Sequence, residues 1–214
     1  LYIGANAGGA TARNESSLRV GAAPAANERF NMSPDGYMGG LQIGYNWQAA
    51  SWVWGLEADI QGSTQKENRG CLLGCFPGQF AQVSQKMEWL GTVRGRLGYA
   101  IGQSLFYATG GFAYGDVKTN ILEAVGANPV LNTEFSKMRT GYTVGGGIET
   151  PFDVFGLFGR NWTAKTEYLY VDLGKSANSY TYAGQPHTFE TRVQEHIFRT
   201  GINYHFNTPV VAKY

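Results

Sequence analysis

Gly40-Leu41-Gln42-Ile43-Gly44-Tyr45-Asn46-Trp47, a short Gln48-Ala49-Ala50-Ser51 link, then Trp52-Val53-Trp54-Gly55-Leu56-Glu57-Ala58-Asp59-Ile60-Gln61: this stretch decides the fold. Its period is two. Leu41, Ile43, Tyr45 and Trp47 alternate with Gly40, Gln42, Gly44 and Asn46, and after the link Trp52, Trp54, Leu56, Ala58 and Ile60 alternate with Val53, Gly55, Glu57, Asp59 and Gln61. Side chains that switch faces at every residue make strands, and two such runs joined by four residues make a hairpin.

The pattern recurs outward from there. Met87, Trp89, Val93, Leu97 and Tyr99 are set against Glu88, Thr92, Arg94, Arg96 and Gly98. Tyr142, Val144 and Ile148 alternate with Gly141, Thr143, Gly145, Gly147 and Glu149. Trp162, Ala164, Tyr168 and Tyr170 alternate with Thr163, Lys165 and Glu167, and Phe198, Ile202, Tyr204 and Phe206 with Arg199, Gly201, Asn203 and His205. Residues 1–10 and 105–116 are weaker cases that complete a set of eight. The expected fold is all-β: an eight-stranded antiparallel transmembrane β-barrel, with long extracellular loops and short periplasmic turns. Long connections at 11–35, 62–85, 118–137 and 174–190 alternate with turns at 48–51 and 100–104; the connection at 151–161 is longer than a minimal turn. Residues 1–206 form the barrel and 207–214 a tail. Leu1-Tyr2-Ile3-Gly4 already reads as strand, so a targeting segment is expected to have been removed.

Composition fits a membrane exterior. Charged residues are 15 %, aromatics 14 % and glycines 30, yet mean hydropathy is only −0.25. Residues 97–115 lack charge over the length of a membrane helix, but five glycines and Gln103-Ser104 at the centre fit a strand–turn–strand instead. A formal charge of +1 without a basic tract argues against nucleic acid as a partner.

Packing decides which face meets lipid. The apolar face carries all five tryptophans, too much volume for the bore of eight strands, whereas the other offers glycines with room beside them for ions. The rings therefore point outward. Trp47, Trp52, Tyr99, Trp162 and Phe206 gather toward the short turns, and Tyr37, Trp89, Tyr114, Tyr170 and Phe198 toward the long loops; with Trp54 and Tyr204 they form two aromatic girdles. The inward charges are Glu57, Asp59, Glu88, Glu149 and Glu167 with Arg94, Arg96, Arg139, Lys165 and Arg199. Counting from the hairpins sets Glu57 and Asp59 level with Arg94 and Arg96, Glu149 with Lys165, and Glu167 with Arg199. Such a set either lines a polar channel or plugs the lumen, and the small bore favours a plug.

Cys71 and Cys75 sit in a Gly/Pro-containing loop, spaced to close a small disulfide ring in an oxidising compartment, or to hold a metal; no nearby His completes a ligand set. His187, His196 and His205 show no local nucleophile–base spacing, and Gly145-Gly146-Gly147 lacks the Gly-Lys-Ser/Thr of a phosphate loop. Neither an enzyme nor a resident cofactor is expected.

The runs Trp162-Thr-Ala-Lys-Thr-Glu-Tyr-Leu-Tyr-Val-Asp-Leu-Gly174, Phe198-Arg-Thr-Gly-Ile-Asn-Tyr-His-Phe206, Val93-Arg-Gly-Arg-Leu-Gly-Tyr99 and Tyr107-Ala-Thr-Gly-Gly-Phe-Ala-Tyr-Gly115, with residues 40–47, resemble the outer-membrane immunogenic and hemin-binding barrel proteins of alpha-proteobacteria, related in architecture to the OmpA transmembrane domain. The resemblance covers nearly every strand and stops in the loops. It implies a surface-exposed outer-membrane barrel in contact with lipid and lipopolysaccharide, described variously as structural protein, porin or hemin binder. It also implies recognition by the barrel-assembly machinery through a terminal aromatic, either Phe206 or Tyr214. Hemin would need an axial His or Tyr, for which Tyr180, Tyr182 and His187 are the candidates, although a polar aromatic loop has the same composition.

Overall fold

The fold follows from a computed structural model that describes residues 1–21, 27–70, 79–125, 128–152, 161–182 and 185–206. The described chain is all strand: β1 (Tyr2–Ala12), β2 (Asn14–Val20), β3 (Asn27–Met32), β4 (Asp35–Ala49), β5 (Trp52–Ser63), β6 (Lys66–Gly70), β7 (Gln79–Ile101), β8 (Ser104–Val125), β9 (Asn128–Pro151), β10 (Trp162–Tyr182) and β11 (Gln185–His205). β1, β4, β5, β7, β8, β9, β10 and β11 pair in that order, and β1 pairs again with β11 to close an eight-stranded ring. Every pairing is antiparallel, from Tyr2↔His205 at one end of the closure to Ala12↔Glu195 at the other. Closure satisfies the backbone donors and acceptors of strands that have no water beside them.

The exterior is apolar over one band. Leu41, Ile43, Leu56, Ile60, Val93, Leu97, Phe112, Val144 and Ile202 are exposed, as are Trp47, Trp52, Trp54, Tyr99 and Phe206 at its periplasmic border. Edge contacts between Trp52 and Tyr99 and between Trp162 and Tyr204 knit that border together. Trp89 with Tyr114, and Tyr142 with Tyr170, do the same at the outer border.

Two features depart from the sequence reading. The long connections carry strand at their bases: β7 with β8, and β8 with β9, stay paired far beyond the outer girdle, to Gln79↔Val125 and Val125↔Asn128. β2 and β3 form a further hairpin laid against β11, and β6 lies against β7. Polar residues occupy the outer face of these extensions as water requires, which removes the contrast that marks strands inside the bilayer. Second, the register of β7 shifts between Met87 and Trp89. This bulge turns Met87 inward and leaves Glu88 partly exposed, bonded to Lys86 at 3.4 Å and Lys118 at 3.1 Å. Glu88 therefore does not belong to the lumen charges; simple alternation assigned both residues to the wrong face because it does not anticipate an extra residue.

Candidate functional site

The interior is stacked in layers. At the periplasmic floor Val53, Leu105 and Tyr107 pack together. Above them lie four acids, Glu57, Asp59, Glu149 and Glu167, and four bases, Arg94, Arg96, Lys165 and Arg199, none more than 5 % exposed. Arg94 forks to Glu57, to Asp59 at 2.8 Å and to Glu167 at 3.0 Å. Arg199 reaches Glu167 at 2.6 Å and Asp59 at 3.1 Å. Lys165 reaches Glu57 at 2.9 Å, joining β10 to β5, strands on opposite sides of the ring. Equal numbers of each sign make the cluster neutral, and the guanidinium forks match the carboxylates geometrically.

Neutral donors fill the remaining bonds. Tyr2 donates to Glu57 at 2.6 Å and accepts from Arg96 at the same distance. Arg96 also bonds Glu149 at 2.8 Å and lies 3.9 Å above the Tyr107 ring. Tyr107 in turn donates to Glu167 at 2.9 Å. Glycines make the room: a Cβ at Gly44 would fall 2.3 Å from the Tyr2 hydroxyl, and one at Gly40 would fall 2.0 Å from the Ile60 carbonyl oxygen.

The expected pairs are partly re-sorted. Glu57 does face Arg94 in register, and Glu167 faces Arg199. Lys165 lies beside Glu149 in register, yet its ammonium bonds Glu57, while Glu149 takes Arg96, Thr163, Asn203 and His205. Arg139 is buried but stands apart from the cluster, bonding the Thr191 carbonyl at 3.2 Å.

Above the ions lies an apolar cluster, Ala10, Met38, Met87, Leu90, Ala113, Val117, Leu169, Val171, Leu173, Val193 and Ile197, whose rows also hold the buried Gln61, Arg139, Thr143 and Glu195. Parity could have found it, since Leu169 and Val171 continue the face of Lys165 and Glu167. A polar layer follows, in which Asn14 donates to Gln85 at 2.9 Å and Ser16 bonds Thr191 at 3.0 Å. Beyond the bilayer Leu18, Phe30, Met32, Val83, Ile121 and Phe189 form a second apolar core. Glu195 is buried within the apolar cluster above the ions, flanked in the sheet by Ala12 and Val171.

The remaining candidates are dispersed. Tyr180 and His187 stack face to face at 5.0 Å, with His187 buried. The Tyr182 side chain, Cys71, Cys75 and residues 207–214 lie outside the described residues. His196 bonds the Tyr168 hydroxyl on the outer wall. His205 meets Thr163 and Glu149 through one and the same ring nitrogen, at 3.1 and 2.9 Å. A relay needs both nitrogens, one toward the nucleophile and one toward the acid, so these three residues do not form one.

Residues 1–206 match the family profile described as outer membrane protein beta-barrel domain. Over 96 % of its length the chain is 37 % identical to the 31 kDa outer-membrane immunogenic protein of Brucella melitensis, covering 82 % of that protein. It is 32 % identical to the 22 kDa outer membrane protein of Rhizobium leguminosarum bv. viciae, over 80 % of this chain and 67 % of that one. Among solved structures, the outer membrane protein OprG of Pseudomonas aeruginosa superposes with a TM-score of 0.51 at 11 % identity, over 95 % of this chain and 96 % of that one.

Proposed function

This chain belongs to the outer membrane protein β-barrel family and resides in the outer membrane, and from that premise we propose that it is a non-enzymatic structural barrel: its lumen is closed, and its work is done by the surface it presents outside the cell. One observation carries the reading. The Lys165–Glu57 bond, 2.9 Å long, ties together strands on opposite sides of the ring, so the charges of the two walls meet at the axis instead of facing each other across water. The apolar side chains packed above the ions add a constriction of the kind that opposes ion passage. Bonds between buried ions and tightly packed side chains suit a wall that resists deformation.

Conductance in planar bilayers tests this. Purified protein at single-molecule density should leave the bilayer at baseline, with no discrete, stable openings. Regular unitary steps that scale with salt concentration would replace the structural reading by a pore.

A further inference from the structure

Outside the bilayer the barrel wall divides. β9 and β10 pair only from Thr163↔Pro151 to Asp172↔Tyr142, whereas β10 stays with β11 to Tyr182↔Gln185 and β9 stays with β8 to Val125↔Asn128. Among the described residues the extensions thus form two sheets, β6-β7-β8-β9 and β10-β11-β2-β3, with the outer apolar core between them. Four strand edges result, and three carry devices that deter pairing along their length, whereas on β10 they are confined to its base, in the bulge at Gly174 and Lys175. β3 has Glu28 and Arg29; β6 has Lys66, Glu67 and Arg69; the outer part of β9 has Pro129, Glu134, Lys137 and Arg139. Residues 176–182 of β10, Ser-Ala-Asn-Ser-Tyr-Thr-Tyr, contain no charge, proline or glycine.

Which backbone groups face the open side follows from one proline. Pro186 lies opposite Thr181, and its carbonyl accepts from Gly21, away from β10, at 2.8 Å. Thr181↔Pro186 is therefore a position where β10 and β11 do not bond, and alternation makes Ser179↔Thr188 and Ala177↔Glu190 the same. The N–H and C=O groups of Ala177, Ser179 and Thr181 point into the seam, with their side chains exposed on the outer face. Beside the seam Phe135 and Tyr180, 6.5 Å apart, are only partly covered by the apolar core.

We propose that the free edge of β10 is a strand-addition site, which takes an extended segment of another polypeptide with small polar residues opposite Ala177, Ser179 and Thr181 and apolar residues between them. The backbone of the incoming strand completes the ladder, and its apolar side chains enter beside Phe135 and Tyr180. This deepens the surface-presenting role proposed above and rests on it.

The full chain in lipid nanodiscs is titrated with a fluorescent eight-residue peptide that alternates Thr and Val. Binding should saturate, and should weaken at least tenfold when the Thr nitrogens of the peptide are methylated, but not when the Val nitrogens are. Ser179→Pro should give the same loss. It removes a donor that no described strand uses, so the heat-resistant migration of the folded barrel is retained. Ala177→Lys, which leaves the backbone intact, is the second variant and should also weaken binding by tenfold or more. No binding to the wild type, or binding indifferent to both variants, overturns the proposal. Concentration-dependent self-association abolished by Ser179→Pro, without peptide binding, would overturn it in favour of a second copy as the occupant. Conductance of the same sample reports separately on the closed lumen, so either idea can fail alone.

Discussion

Replacing Arg94 by alanine asks the most of the ion cluster. Arg94 is 1 % exposed and touches three carboxylates, those of Glu57, Asp59 and Glu167. With four acids and four bases in balance, its loss leaves one uncompensated negative charge in a buried space. Breaking a buried pair in this way costs about 3–5 kcal/mol. Arg13, exposed on the outer part of the chain, should cost no more than about 0.5 kcal/mol when truncated. The assay is urea unfolding of both variants in phospholipid vesicles, followed by tryptophan fluorescence. For a urea slope of about 2 kcal/mol/M, Arg94→Ala should lower the midpoint by about 2 M relative to Arg13→Ala. Combining Arg94→Met with Glu167→Gln restores neutrality at similar volume and should recover most of the loss. Equal midpoints for the two alanine variants, or a double variant no better than Arg94→Ala, would refute the idea that charge balance holds the interior together.

A further perturbation probes the wall. Gly40→Ala places a Cβ against the Ile60 carbonyl and the Gln61 backbone, and should cost about 1–3 kcal/mol, whereas Gly9→Ala meets nothing within 4 Å and should be neutral. Similar midpoints for these two would mean that the wall yields where it is drawn tight.

The ring of strands was legible because lipid outside and ions inside give the strongest possible period-two contrast. Trp47 and Trp54, or Arg94 and Arg96, declare their faces without help from neighbours. Legibility falls where that contrast falls. Beyond the girdle both surfaces of β8 and β9 meet water or a modest apolar core, so Thr119 and Ile121 share an inward face that reads as mixed. A bulge is a one-residue event with no compositional mark here, which is why Glu88 was misassigned. The partners within the cluster were the least accessible part. Register sets which residues are level, but the reach of Lys165 across the axis to Glu57 depends on the bore being narrow enough for opposite walls to touch.

Orientation is what everything else depends on, and the five tryptophans report it directly. In the structure Trp47, Trp52 and Trp54 are exposed on the wall that faces hydrocarbon, and Trp89 and Trp162 sit at its two borders. Reconstitution into vesicles of brominated phospholipid should quench most of the indole emission, while aqueous acrylamide should quench little. Efficient acrylamide quenching with no effect of bromine would place the indoles around water and contradict the account.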